Sequence, residues 1–120
     1  MESWGGPMPH IFHKENAGEI TIRELKSILD KNDPDFCLID VREQDEWNAT
    51  NIKGAALRPL SRFQETYQDL PRDKTIYLYC KSGSRSLMAA QFLKEKGYTK
   101  VFNVKGGIDA WIRETGPDLP

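Results

Sequence analysis

The chain has 120 residues, 38% of them apolar plus nine glycines, which fits one globular domain and excludes both a second sizeable domain and a disordered polymer. Seventeen Lys and Arg against eighteen Asp and Glu leave a formal charge of −1, so no global positive field exists to gather nucleic acid or anionic lipid, and neither is expected as a partner. No apolar run approaches the roughly 18 residues of a spanning helix and no signal-peptide stretch opens the chain, so a cytoplasmic, monomeric protein is expected.

Only two cysteines occur, Cys37 and Cys80, without the Cys/His spacing of a zinc site or the density of a disulfide scaffold, and no metal is expected. Residues 1–17 show no period and are broken by Gly5-Gly6-Pro7 and Pro9, which predicts a flexible tail or linker. His10 and His13 lie there; two histidines alone rarely make a metal site, so they are read as tail residues. Trp4 carries no interpretable signal.

The folded domain is expected over residues 18–116, with a short tail at 117–120. Glu19-Ile20 predicts a short extended piece, and Thr21 with Glu24 three residues on forms a capping box for a helix whose inner face is Ile22, Leu25, Ile28 and Leu29. Asn32-Asp33-Pro34 stops it. Residues 36–41 form a continuous apolar run closed by charges, as in a strand covered on both faces, and Cys37 reads there as plain core.

A short helix is expected at 43–49, a small strand at 52–57 and an amphipathic turn or helix at 60–67, ended by Leu70-Pro71. Residues 75–79 (TIYLY) predict a second strong strand, running directly into Cys80. A helix follows at 86–96 with Leu87, Ala90, Phe92 and Leu93 on or beside its apolar face and Gly97 ending it. A last strand falls at 100–104, and Gly106-Gly107 turns the chain into a final helix. Trp47 and Trp111 read as packing side chains. Strands and helices alternate with connections that suit crossovers, so the fold class is α/β, a parallel sheet with helices on both faces. Functional crevices of such sheets lie beyond the carboxyl ends of the strands, where Asp40 with Arg42 and the segment from Cys80 both fall.

Cys80-Lys81-Ser82-Gly83-Ser84-Arg85-Ser86 leaves a strand and enters a helix, which converges main-chain N–H groups into an anion nest. A cysteine opening such a nest feels the helix N-terminus and the charges of Lys81 and Arg85, all favouring thiolate. Gly83 supplies the backbone angle of a tight loop, and the small Ser82 and Ser84 leave amides accessible. The chemistry that uses both a nucleophilic sulfur and an anion cradle is transfer of an anionic group through a covalent cysteine intermediate; sulfane sulfur and phosphoryl both fit. The bland alternative is that Cys80 merely ends a strand.

CKSGSRS, the upstream LIDVREQDEW, NIKGAALRPL and the late VKGGIDAW together resemble the rhodanese-like sulfurtransferase domain, over residues 18–116 and in that family's order. The resemblance implies a five-stranded parallel sheet flanked by helices, a Cys80 that carries a persulfide during turnover, and a cradling loop of Lys81, Ser82, Gly83, Ser84, Arg85 and Ser86. It implies no metal or organic cofactor, and a sulfane donor such as thiosulfate or a persulfide. Sulfur-handling members of the family place four residues between Cys and Arg and the related phosphatases five; here residues 81–84 make four. The tighter ring suits a single terminal sulfur better than a tetrahedral oxyanion.

Asp40 resembles the family's aspartate at the end of its second strand, which helps hold the active loop; a plain strand-end ion pair with Arg42 is the equal alternative. Arg58 interrupts an apolar run and is read as facing the crevice or as an exposed edge residue. Many family members carry Gly-His where this chain has Thr50-Asn51, which bears on a local turn rather than on catalysis. Residues 106–120 resemble the end of rhodanese domains fused behind adenylyltransferases. That implies a ubiquitin-like sulfur-carrier protein or a cysteine desulfurase as partner, with residues 1–17 as interdomain linker. The competing functions are a small cysteine phosphatase or arsenate reductase, disfavoured by loop length, and a noncatalytic interaction module, in which Cys80 would be replaced.

Overall fold

The computed structural model describes residues 17–31 and 34–116. The expected tail with Trp4, His10 and His13, the Asn32-Asp33 helix stop and residues 117–120 lie outside the described residues. The strands are β1 (Gly18–Ile20), β2 (Phe36–Asp40), β3 (Ala56–Leu57), β4 (Thr75–Tyr79) and β5 (Val101–Val104), and the α-helices are α1 (Ile22–Asp30), α2 (Gln44–Ala49), α3 (Phe63–Thr66), α4 (Ser84–Glu95) and α5 (Gly107–Thr115). All strand pairs are parallel, in the order β1-β5-β4-β2-β3, the α/β architecture expected.

The two-residue period of the strands separates two cores. Ile76, Leu78 and Cys80 join Ile39, Val41 and Val101 on one face, under Ala89, Ala90 and Leu93 of α4 and Phe63 of α3. Tyr77, Tyr79, Leu38 and Val104 point the other way, against Ile22 and Leu25 of α1 and Ile108 and Trp111 of α5. Both faces are covered, which is why the strands read as unbroken apolar runs. The capping box of α1 forms as expected: Glu24 N donates to the Thr21 hydroxyl at 3.1 Å, and Thr21 N to Glu24 Oε1 at 2.8 Å.

Three expectations need correction. The strand expected at 52–57 is regular only over Ala56–Leu57, because Gly54 at φ +97° turns the chain and Ala55 N bonds back to Ile52 O. Helix α4 begins two residues early, at Ser84, since Gly83 at φ +117° completes the turn out of the loop. Leu87 is 40% exposed rather than packed, whereas Ala90, Phe92 and Leu93 are buried as expected and Ser86 and Ala89 join them. Cys37 is half-buried and packs against the α4-side core.

Register brings the site together. Asp40 lies opposite Tyr79 and Leu78 opposite Asn103, so β2, β4 and β5 end at one edge of the sheet, and Cys80 is the next residue out of the central strand. Among the described residues no helix is long and apolar enough to cross a membrane.

Candidate active site

Gly83 is the residue that bends the loop over the sulfur. Its left-handed backbone points its N–H at Cys80 Sγ, 3.1 Å away, and the Ser86 hydroxyl reaches the same sulfur at 3.3 Å. Burial pushes the Cys80 thiol up, but hydrogen bonds from the Ser86 hydroxyl and from the N–H groups of Ser86, Gly83 and Ser82 outweigh it, and the thiol sits below its ordinary value. The nest inferred from the sequence is present, with its amides turned inward.

The same loop is clamped from outside by α5. Ile108 N donates to Cys80 O at 2.9 Å and Asp109 N to Lys81 O at 3.0 Å, so the first amides of that helix are satisfied by the carbonyls on either side of the Cys80–Lys81 bond. This close approach explains Gly107, while a Cβ at Gly106 would meet Ala110 Cβ. At Gly107, φ +60°, a Cβ would overlap Cys80 O and stand 2.5 Å from Lys81 O, so only glycine fits there.

The two cations act differently from the sequence-based expectation. Arg85 makes a bidentate pair with Glu46 of α2, Nη1 to Oε1 and Nη2 to Oε2 both at 2.8 Å, and Lys81 Nζ lies 2.9 Å from Asp109 Oδ2. Hydrogen bonds from the Arg85 guanidinium hold the Glu46 carboxyl down at about 2. Hydrogen bonds of the loop lead in lowering the thiol, and Arg85, although paired with Glu46, still attracts the Cys80 thiolate. Lys81, Ser82 and Ser84 are exposed on the rim, Gly83 and Arg85 are half-buried, and Ser86 is buried.

Beneath the loop lies a polar contact that sequence reasoning missed. Asn103, 2% exposed in β5, accepts from Ser86 Oγ at 2.6 Å through Oδ1, while its Nδ2 donates to Gly83 O at 3.3 Å and Glu19 Oε2 at 3.4 Å. It thus ties the bend at Gly83 to the sheet. The available signal was a polar residue inside the apolar run VFNV. Glu46 and Asp109 were missed too, since nothing local pairs residues 39 or 28 positions apart.

Asp40, Arg42 and Arg58 make no hydrogen bond to the Cys80–Ser86 loop among the described residues. The Asp40 carboxylate is fully buried and taken up by Arg42 N, Nε and Nη2, and Arg42 Nη2 donates to Thr50 O at 2.6 Å. Arg42 is itself 4% exposed, and its guanidinium joins Asp40 to Thr50 O across the β2–α2 turn. Arg58 donates to Thr66 O and Asp69 Oδ1 inside an open cavity of about 660 Å³ lined by residues 57–69, none from the Cys80 loop. Cys80 retains 1% of its surface, so Sγ is covered by the loop in this conformation.

This constellation defines a cysteine held in an amide nest at the end of a central parallel strand. The family model for the rhodanese-like domain matches residues 21–114, and the chain belongs to that family. A probable adenylyltransferase/sulfurtransferase, MoeZ of Mycobacterium tuberculosis, is 41% identical over 102 residues, covering 83% of this chain and 26% of that protein. The putative sulfur carrier protein YrkF of Bacillus subtilis is 37% identical over 122 residues, covering 95% of this chain and 66% of that protein. This chain therefore spans about a quarter and about two-thirds of their respective lengths. A rhodanese-related protein of Thermoplasma volcanium superposes with a TM-score of 0.74 at 31% identity, covering 83% of this chain and 95% of that one.

Proposed function

We propose that the protein is a sulfurtransferase that moves a sulfane sulfur from thiosulfate or a persulfide donor to a thiophilic acceptor through a persulfide on Cys80. The carrying observation is the inward ring around Sγ, with the Gly83 N–H at 3.1 Å and the Ser86 hydroxyl at 3.3 Å. Family membership and the relatives named sulfurtransferase or sulfur carrier support sulfur transfer.

In the first step the Cys80 thiolate attacks the outer sulfur of the donor. A new S–S bond forms to Sγ, and the donor's own bond breaks with its electron pair leaving on sulfite or on a thiolate. The terminal sulfur then carries the negative charge, and the loop N–H groups of residues 82–86, with the helix α4 N-terminus behind them, are placed to hold it. An acceptor thiolate or cyanide removes that sulfur and regenerates the Cys80 thiolate. Lys81, Ser82, Gly83, Ser84, Arg85 and Ser86 form the cradle, Gly106-Gly107 and Asn103 hold it, and Asp40 with Arg42 supports the neighbouring turn. Sulfur-carrier proteins and cysteine desulfurases are the partner classes this reading implies.

Turnover with cyanide as acceptor tests it. Thiocyanate should form with thiosulfate or cysteine persulfide as donor and fall to background in Cys80→Ser. Hydrolysis of an aryl phosphate without thiocyanate would instead establish a phosphatase, and inertness in both assays an interaction module.

A further inference from the structure

The nest favours negative charge, yet its surroundings are acidic. Lys81 and Arg85 are the two cations of the 80–86 loop, and each is paired with a carboxylate, the exposed Lys81 with Asp109 at 2.9 Å and Arg85 with Glu46 through two 2.8 Å bonds. Glu43 adds to the negative field at Arg85, and Glu19 lies 3.4 Å from Asn103 behind the loop. The two cations are cancelled by Glu46 and Asp109, so Glu43, Glu19 and a Cys80 thiolate leave this cluster net negative. A bidentate guanidinium has its fork directed at its partner and offers little to a second anion.

Thiosulfate arrives as a dianion, whereas cysteine persulfide, in the protonated form whose outer sulfur a thiolate can attack, carries no net charge. Both present an outer sulfur to the thiolate, so the chemistry at Sγ is shared and the difference lies in the approach. We propose that Glu46 and Asp109, by engaging both cations of the loop, set donor specificity in favour of persulfides and against thiosulfate. This rests on the reading of Cys80 as the sulfur-transferring nucleophile. The transfer balances without an oxidant or reductant: the Cys80 Sγ–S bond forms, the donor's S–S bond breaks, and the departing thiolate takes the proton carried by the persulfide.

The experiment is single-turnover loading of Cys80, followed by intact mass, with thiosulfate and cysteine persulfide as the donors. Glu46→Gln is the main variant because the glutamine oxygen still accepts the Glu43 N–H that caps α2 and Arg85 Nη1, so the charge goes together with only one of the two Arg85 bonds. Asp109→Asn is the second, on a separate helix. Removing one negative charge from the path of a dianion is expected to raise second-order loading by thiosulfate on the order of tenfold for Glu46→Gln, and less for the more exposed Asp109. The gain should appear in the apparent donor affinity rather than in the saturated rate. Loading by cysteine persulfide should change less than about twofold, and added salt should speed thiosulfate loading of the parent more than of Glu46→Gln.

Unchanged thiosulfate loading in both variants, with persulfide loading intact, overturns the specificity proposal and leaves sulfur transfer standing. Equal loss with both donors in Glu46→Gln also overturns it, since Glu46 would then act only by positioning Arg85. No adduct from either donor in the parent overturns the sulfur-transfer reading itself.

Discussion

Replacing Ser86 by alanine removes one donor from Cys80 Sγ and leaves the main-chain donors in place. The hydroxyl has a single proton and three acceptors within reach: Sγ at 3.3 Å, Gly83 O at 3.3 Å and Asn103 Oδ1 at 2.6 Å. A hydrogen bond to an ionised group is worth about 1.5–3 kcal/mol, and sharing with the shorter Asn103 contact puts the thiolate's portion near the lower end. About 1.4 kcal/mol corresponds to a tenfold smaller thiolate fraction at any pH below the thiol's titration. The assay is the pH profile of alkylation by iodoacetamide, in a Cys37→Ala background so that Cys80 alone reports. Ser86→Ala should alkylate about tenfold more slowly on the acidic side and converge with the parent once both are fully ionised. It should also unfold about 1 kcal/mol more easily, because Asn103 Oδ1 is left without its donor. Superimposable profiles with an intact fold would refute the hydroxyl's role. A uniform slowing at every pH would refute it as well, since that pattern reports loop opening and not ionisation.

Other perturbations reach the supports of the site. Gly107→Ala forces a side chain against the Cys80 and Lys81 carbonyls at φ +60° and should cost about 2–4 kcal/mol in urea unfolding; a neutral result would show that α5 does not clamp the loop. Thr21→Ala removes a cap remote from the loop and should cost about 1 kcal/mol while leaving Cys80 alkylation unchanged. Glu46 titrates at about 2 in the folded protein against its ordinary 4.5, so its pairing stabilises fully above pH 4.5 and is lost as pH falls toward 2. The stability difference between the parent and Glu46→Gln should shrink over that interval, and a difference constant from pH 6 to 2 would contradict the pairing.

What sequence reasoning reaches is set by whether the determining interaction is local. The cap at Thr21, the buried strands β2 and β4 and the turn at Gly83 follow from neighbours within a few positions, and the nest follows from Cys80 standing between a strand and a helix. The motif VKGGIDAW marked the family without giving its physical reason; the reason is tertiary, the seating of α5 on the Cys80 and Lys81 carbonyls. The pairing of the two loop cations was hidden for the same cause. Lys81 and Arg85 look available in the linear sequence, and only the fold brings Glu46 and Asp109 onto them. Asn103 needed the sheet register to be recognised as the post under Gly83.

Exposure to cysteine persulfide followed by peptide mapping probes the amide nest most directly, because the chain offers two thiols of unlike setting. The half-buried Cys37 has more open surface, whereas Cys80 has the loop donors. A single added sulfur on Cys80, lost in Cys80→Ser with Cys37 still unmodified, is the predicted result. An adduct that maps to Cys37 while Cys80 remains a free thiol would contradict the account.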